Sequence, residues 1–484
     1  MSRFSRRAFL AGGAALAMLP RGALAHHVGK ELTIGTRVID VKGKAAKMFG
    51  ITRNGSGAHG LIMNAGERFR LRLGNASGEA ALIHWHGLTP PNAQDGVPGV
   101  TQPLLQPGQS FDYDFPVALP GTNWMHSHHS LQEQRLMAAP FIVRDSREAG
   151  DDVQEIVVML HDFTFRDPAE ILAELSRGMS HDHSNMGHDM SGMDMSGMDM
   201  SGAGGGAMQM GGMDLNDVTH DAFLANDRTL DDPEIVRVEK GQRLRLRIIN
   251  GASSTNFIVD LGALSGELRH VDGRPIEPVA GSRFPLAIAQ RADIFVALPA
   301  DEGTWPILFQ REGDVALTGI VVATKSGAIT RIADRAGTVV GAIDRELPML
   351  YRAAEPLSAR AADRKLTVEL TGSMMSYQWG IDDTATPEPN ISGPNIPVGR
   401  GERVELELIN RTDMSHPIHL HGHHFQVVAV NGARVMGAVR DTELVPIGGR
   451  VTIAFDADNP GRWMFHCHNL YHMLSGMMTE VIYL

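Results

Sequence analysis

Cysteine is nearly absent from this 484-residue chain; the one example is Cys467. A single thiol excludes an intramolecular disulfide, so the fold has to be held by its cores. Long apolar runs are missing as well. The stretch from Ala11 to Leu19 is too short to cross a bilayer and nothing later is long enough, so no membrane insertion is expected. Positive charge is in deficit, with 44 Lys and Arg against 56 Asp and Glu and a formal net charge of −12. An acidic surface argues against nucleic acid and anionic lipid as partners and suits cations. What the chain does have is 43% hydrophobic residues, ample for full cores. Its length suits about three domains rather than one.

The N-terminus reads Ser5-Arg6-Arg7-Ala8-Phe9-Leu10, then the short apolar stretch, then Ala23-Leu24-Ala25 before His26. This pattern predicts a twin-arginine signal over residues 1–25, cleaved after Ala25, with export of the folded chain by the twin-arginine machinery to a bacterial periplasm. Cleavage removes four arginines and no acid, leaving the mature chain at about −16. His26 then becomes the N-terminal residue. A lone cysteine in that oxidising compartment is a liability unless something masks it.

An internal repeat predicts the architecture. Gly66–Asn75 (GERFRLRLGN) recurs as Gly241–Asn250 (GQRLRLRIIN) and again as Gly401–Asn410 (GERVELELIN). Each copy alternates apolar and charged residues, the pattern of a strand with one buried face. Each is followed by a second signature, at Gly121–Trp124, Gly303–Trp305 and Gly461–Trp463. Copies this far apart are domains rather than solenoid units. The expectation is an all-β chain of three consecutive Greek-key β-sandwiches. The domains are placed at 26–147, 148–330 and 361–484, with a linker at 331–360. Pro168–Leu175 is expected to form a short surface helix.

The only cysteine stands in His466-Cys467-His468-Asn469-Leu470-Tyr471-His472, with Met477 ten residues after it. A thiolate with two imidazoles in plane and a weak axial thioether is the ligand set of a blue copper centre. His416-Pro417-Ile418-His419-Leu420-His421 offers the second imidazole. Two more runs, His84-Trp85-His86-Gly87 and Trp124-Met125-His126-Ser127-His128, carry His-x-His pairs. Alternate residues of a strand face one side, so each pair can aim two rings at one metal cluster. The repeats are unequal here. After Asn75 and Asn410 come histidines; after Asn250 comes Ser253-Ser254-Thr255-Asn256. The ligands therefore belong to the first and third domains, which have to touch, and the middle one reads as a spacer.

These four runs resemble the four copper motifs of the multicopper oxidases, in that family's order and over most of the mature chain. The segments Asp95–Gly99, Leu131–Gln134 and Leu470–Met473 resemble more specifically its bacterial copper-resistance branch, which is laccase-like and includes cuprous oxidases. The resemblance implies cupredoxin-like domains and four coppers per chain. It places His84 and His419 on a type 2 copper, and His86, His126, His128, His421, His466 and His468 on a type 3 pair. His416, Cys467, His472 and Met477 would hold the type 1 copper, with Met478 as the competing register. Cys467, flanked by His466 and His468, would carry electrons from type 1 to type 3. Asp95, eleven residues past His84, falls where the family places a proton-delivering carboxylate. Two other positions where relatives carry a second carboxylate are here Leu470 and Met473. Met125 replaces an aromatic residue and reads as packing, and His129, His423 and His424 read as bystanders.

One stretch breaks the β pattern. Residues 178–213 hold ten Met and three His among Gly, Ser and Asp. Such a composition cannot build a core, whereas soft thioethers select Cu(I). The leading expectation is a periplasmic oxidase that turns Cu(I) into Cu(II) while reducing O2 to water. A laccase-like oxidase of phenols or amines is the alternative, and a copper-sequestering protein the alternative from another class.

Overall fold

The computed structural model describes residues 30–53, 59–148, 152–177, 215–343, 351–381 and 395–484. The expected signal at 1–25, His26 and the Met-rich run at 178–213 lie outside these. Among the described residues no helix is long and apolar enough to cross a membrane.

Among the described residues, six sheets pack as three β-sandwiches in chain order. Each repeat copy becomes the same element: Arg68–Asn75, Arg243–Asn250 and Arg403–Asn410. Each pairs in parallel with the strand that opens its sandwich: Lys30–Val41, Val153–Phe163 and Arg364–Ser373 respectively. Each pairs antiparallel with a later strand: Ser110–Pro116, Arg291–Ala297 and Arg450–Asp456. Alternation puts Phe69, Leu71 and Leu73 into the first core, Leu244, Leu246 and Ile248 into the second, and Val404, Leu406 and Leu408 into the third. The second signature opens a strand of the facing sheet: Gly121–Ser127, Thr304–Arg311 and Arg462–Cys467.

The asparagine closing each copy is buried and brackets the turn that follows. Its amide N–H groups donate to Glu79 and Leu105 carbonyls from Asn75, to Thr255 and Leu286 from Asn250, and to Met414 and Val445 from Asn410. A side-chain amide can satisfy several buried carbonyls of an irregular turn that no strand partner reaches.

Helix α1, Pro168–Ser176, starts at Asp167, whose carboxylate caps the Ala169 N–H at 2.9 Å. It is not simply a surface helix: Ile171 is buried in the third core, with Leu172 and Leu175 packed against it. The middle sandwich also does more than space the others. Ile249, Ile288 and Ala289 share a core with Trp124, Ala138 and Ile142 of the first. Ser253 accepts the backbone N–H of Leu470 from the third at 2.8 Å.

Candidate metal centre

The ligand-bearing strands meet as cross-strand pairs. His84 stands opposite His126 in the first sandwich, and His419 opposite His466 in the third, with Ile418 opposite Cys467. Directly opposed side chains on one face lie within reach of each other. The eight histidines of the four His-x-His pairs gather where the two sandwiches touch. His84 and His421 stack at 3.8 Å between ring centroids, as do His86 and His419. His126 and His468 lie 4.9 Å apart.

Six of the eight rings, those of His84, His86, His126, His419, His421 and His466, have one nitrogen tied to a carboxylate or a backbone carbonyl. His84 Nδ1 donates to the Asp95 carbonyl (2.9 Å), His421 Nδ1 to Asp95 Oδ2 (2.8 Å) and His419 Nδ1 to the Asp441 carbonyl (2.8 Å). His466 Nδ1 donates to the Cys467 carbonyl (2.9 Å), and His126 Nδ1 faces Glu133 Oε2 at 2.8 Å. The other nitrogens of His84, His86, His126, His419 and His468 are buried with no protein partner. His466 Nε2 lies 3.1 Å from His421 Nε2 and 3.2 Å from His128 Nε2. An imidazole that donates through Nδ1 keeps a lone pair on Nε2. In His421 and His466, two lone pairs therefore confront each other, an arrangement that a cation between them relieves. The donor set fits a cluster of metal ions.

Burial, then the neighbouring imidazoles, hold His86, His126, His128, His419, His421 and His468 well below the usual histidine range. His466 is pushed down to about 4, chiefly by burial. Neutral rings are the form that binds metal.

The second candidate group is His416, Cys467 and His472, all buried. Cys467 Sγ lies 3.7 Å from His416 Nδ1 and 3.9 Å from His472 Nδ1, and the two nitrogens are 3.1 Å apart. His416 Nε2 bonds Thr412 Oγ1 at 2.7 Å, and His472 Nε2 lies 3.0 Å from Asp217 Oδ2. Both rings thus turn a lone pair toward the thiol. Burial pushes the Cys467 thiol up, so a thiolate there needs a cation beside it. The short helix α2, Leu470–Leu474, is capped by Asn469 and carries His472 to this place. Met477 is buried in the same core as Cys467 and its carbonyl accepts the Cys467 N–H at 3.0 Å. Met478 lines an adjoining pocket instead.

Asp95 is fully buried, with Oδ1 3.2 Å from His84 Nδ1 and Oδ2 on His421. The following residue, Gly96, has φ +89°, and a Cβ there would sit 1.8 Å from the Ile83 carbonyl; only glycine lets this turn approach the His84 strand. Met125 is buried in the first core, as a packing residue would be. His423 spends both nitrogens on the His421 carbonyl (3.0 Å) and Tyr483 hydroxyl (2.6 Å). His129 lines the pocket with Met478, and His424 is half-buried near Asp441.

Sequence reasoning missed three carboxylates. Glu133 lies between His126 (2.8 Å) and His468 (3.8 Å), joining a cluster histidine of the first sandwich to one of the third. Asp441 Oδ1 is 2.9 Å from His86 Nε2, and Asp217 stands behind His472. Glu133 lies in the quartet Leu131–Gln134, whose pattern alone assigns it no role. Asp441 and Asp217 have no local signal, because their partners are remote in sequence.

Multicopper oxidase family profiles match residues 35–148, 156–330 and 360–484. The multicopper oxidase MmcO of Mycobacterium tuberculosis is 31% identical over 428 residues, 87% of this chain and 80% of that protein. Copper resistance protein A of Escherichia coli is 25% identical over 578 residues, 96% of this chain and 94% of that one. The crystal structure of a laccase from Botrytis aclada superposes with a TM-score of 0.73 at 22% identity, covering 93% of this chain and 87% of that one, a likeness of fold. Histidine clusters that fit copper, on three cupredoxin-like sandwiches each matched by a family profile, place the chain in the multicopper oxidase family.

Proposed function

We propose that this chain is an exported, periplasmic cuprous oxidase serving copper tolerance, with residues 1–25 as its twin-arginine signal and domains at 26–147, 148–330 and 361–484. Four coppers would be held: type 1 by His416, Cys467, His472 and Met477, type 2 by His84 and His419, and the type 3 pair by His86, His126, His128, His421, His466 and His468. Copper so bound supplies one-electron oxidation of a reductant and four-electron reduction of O2 to water. The protein's part is to hold neutral imidazoles with their lone pairs inward, to keep the thiol dry, and to join the two groups through the backbone of His466-Cys467-His468. Asp95, in contact with His84 and His421, is the carboxylate proposed to hand protons to oxygen reduction.

One observation carries the choice of reductant. A cavity of about 610 Å³ lies beside helix α2, which carries His472, and its wall includes Met464, Met473, Met478, His129 and the cluster histidine His128. Thioethers with an imidazole are soft donors that suit Cu(I). Leu172 and Ser176 of helix α1 line the same cavity, and Asp217 touches His472. Both flanks of the Met-rich run 178–213 therefore stand at this site, which supports a role for that run in gathering Cu(I). The laccase-like alternative draws on the apolar part of the wall, Leu131, Leu172 and Leu474, which suits an organic ring.

The test is steady-state oxygen uptake by copper-loaded protein with Cu(I) and with one phenol, before and after deletion of 178–213. The expected result is a higher kcat/KM for Cu(I), lowered by the deletion, with phenol oxidation equal or better. Phenol efficiency above that for Cu(I) would shift the reading to a laccase-like oxidase. Tight copper binding without oxygen uptake would leave a sequestering protein.

A further inference from the structure

One of the eight clustered histidines is reversed. His84, His126, His419 and His468 leave Nε2 without a protein partner, whereas His86 leaves Nδ1. Its Nε2 faces outward, 2.9 Å from Asp441 Oδ1 and 3.2 Å from Thr442 Oγ1. An imidazole nitrogen bonded to a carboxylate carries the proton, and the opposite nitrogen is then the one free to bind metal. Asp441 thereby selects which nitrogen His86 offers.

Asp441 is itself clamped by the middle sandwich. Arg291, fully buried, donates from Nη1 to Asp441 Oδ1 (2.6 Å) and from Nη2 to Oδ2 (2.5 Å). Its Nε donates to the Thr122 carbonyl of the first sandwich (3.1 Å), and Nη1 also to its own neighbour's carbonyl at Ala289 (3.1 Å). A two-pronged guanidinium–carboxylate pair fixes the carboxylate plane as well as its position. The chain beside His86 makes room for it. Gly87 has φ +92°, and a Cβ there would lie 2.7 Å from Arg291 Nη2 and 2.3 Å from Asn123 Oδ1. One guanidinium thus touches all three sandwiches.

We propose that Arg291, from the sandwich that holds no ligand, is a positioning residue of the histidine cluster: through Asp441 it orients His86 with Nδ1 toward the metal. This rests on the copper reading above. Failure of that reading would show as an unsubstituted chain that binds no copper, an outcome separate from any effect of substitution.

The experiment compares copper-loaded unsubstituted protein with Arg291→Met, Arg291→Lys and Asp441→Asn. Arg247→Met is the control, since Arg247 is another buried arginine of the middle sandwich that reaches Thr122 (Oγ1, 3.0 Å). Copper per chain, the blue absorption, the type 2 paramagnetic resonance and the type 3 near-ultraviolet band are recorded. Arg291→Met and Asp441→Asn are expected to keep the blue absorption, to alter the type 2 resonance and to weaken the type 3 band. Cluster copper affinity should fall ~10–100-fold, the size usual for partners behind a ligand. Arg291→Lys, with no fork to hold both oxygens, should give an intermediate spectrum, and Arg247→Met should leave the spectra unchanged. Unsubstituted spectra and copper content in Arg291→Lys and Asp441→Asn together would overturn the proposal, even if Arg291→Met does not fold. An equal spectral change in Arg247→Met would also overturn it, by showing a general loss of packing.

Discussion

The middle sandwich and the third share a strand plan and use the turn after it for opposite purposes. In the third, Asn410 Oδ1 accepts from the Thr412 N–H (2.9 Å) and hydroxyl (2.8 Å), and Thr412 Oγ1 meets His416 Nε2 at 2.7 Å. The bracketing asparagine is thus two steps from His416, a proposed copper ligand. In the middle, Asn250 Oδ1 accepts from the N–H of Ala252 (3.1 Å), which has no hydroxyl to pass on. The next residues wrap a carboxylate instead: Ser253 N and Ser254 N each donate to Asp162 at 2.9 Å, as does Thr255 Oγ1. The same turn geometry holds the candidate metal ligand His416 where hydroxyl and imidazole follow it, and the Asp162 carboxylate where serines follow it. A domain without ligands is therefore not without a part in the site.

The heaviest blow to this comparison falls on the third sandwich alone. Cys467→Ser is expected to abolish the blue absorption and all oxidase activity while the fold and the copper of the histidine cluster persist. Absorption spectra and copper analysis decide it, and a blue, active variant would undo the assignment of both copper groups.

A matched pair comes next. Asn250→Ala and Asn410→Ala each strip several buried hydrogen bonds, and each is expected to cost about 1–3 kcal/mol in denaturant melts. Only Asn410→Ala should also change the type 1 resonance, because only there does Thr412 link the turn to a ligand. Equal spectra in the two variants would reduce the asparagine to a turn brace in both sandwiches.

A smaller effect separates neighbours on one strand edge. Met477→Leu should raise the type 1 potential and leave the KM for Cu(I) near its starting value, since a weak donor is lost. Met478→Leu should leave the potential and raise the KM, because Met478 lines the cavity. The reverse pattern in redox titration and oxygen uptake would move the axial ligand by one residue.

The smallest effect tests the seam between the first and middle sandwiches. Burial first, then the charge of Arg37, pushes His59 down to about 4 from 6.5. The unfolded chain takes up a proton in that window which the folded chain refuses. The stabilising effect of a neutral His59 is complete above about 6.5 and lost progressively as pH falls toward about 4. His59→Phe should accordingly flatten the acid side of the Tm-against-pH curve by a few degrees, and an unchanged slope would place the acid sensitivity elsewhere.

The sequence by itself determined the repeated strand, its alternation and the four ligand runs, because these are local. A period of two sets which side chains share a face, and Asn75, Asn250 and Asn410 close the same turn wherever they occur. It also determined that Cys467 sits between two cluster histidines, since adjacency in the chain is adjacency in space. It placed helix α1 on the surface but gave no sign that its apolar Ile171, Leu172 and Leu175 pack on a core that lies in another sandwich. It left Glu133 without a role and Asp441, Asp217 and Arg291 unremarked. Those depend on tertiary structure alone: Asp95 meets His421 across 326 residues, and His86 meets Asp441 across 355. A carboxylate's partner at that distance is chosen by how sandwiches dock, and no spacing or periodicity along the chain encodes a contact that only burial and charge pairing bring about.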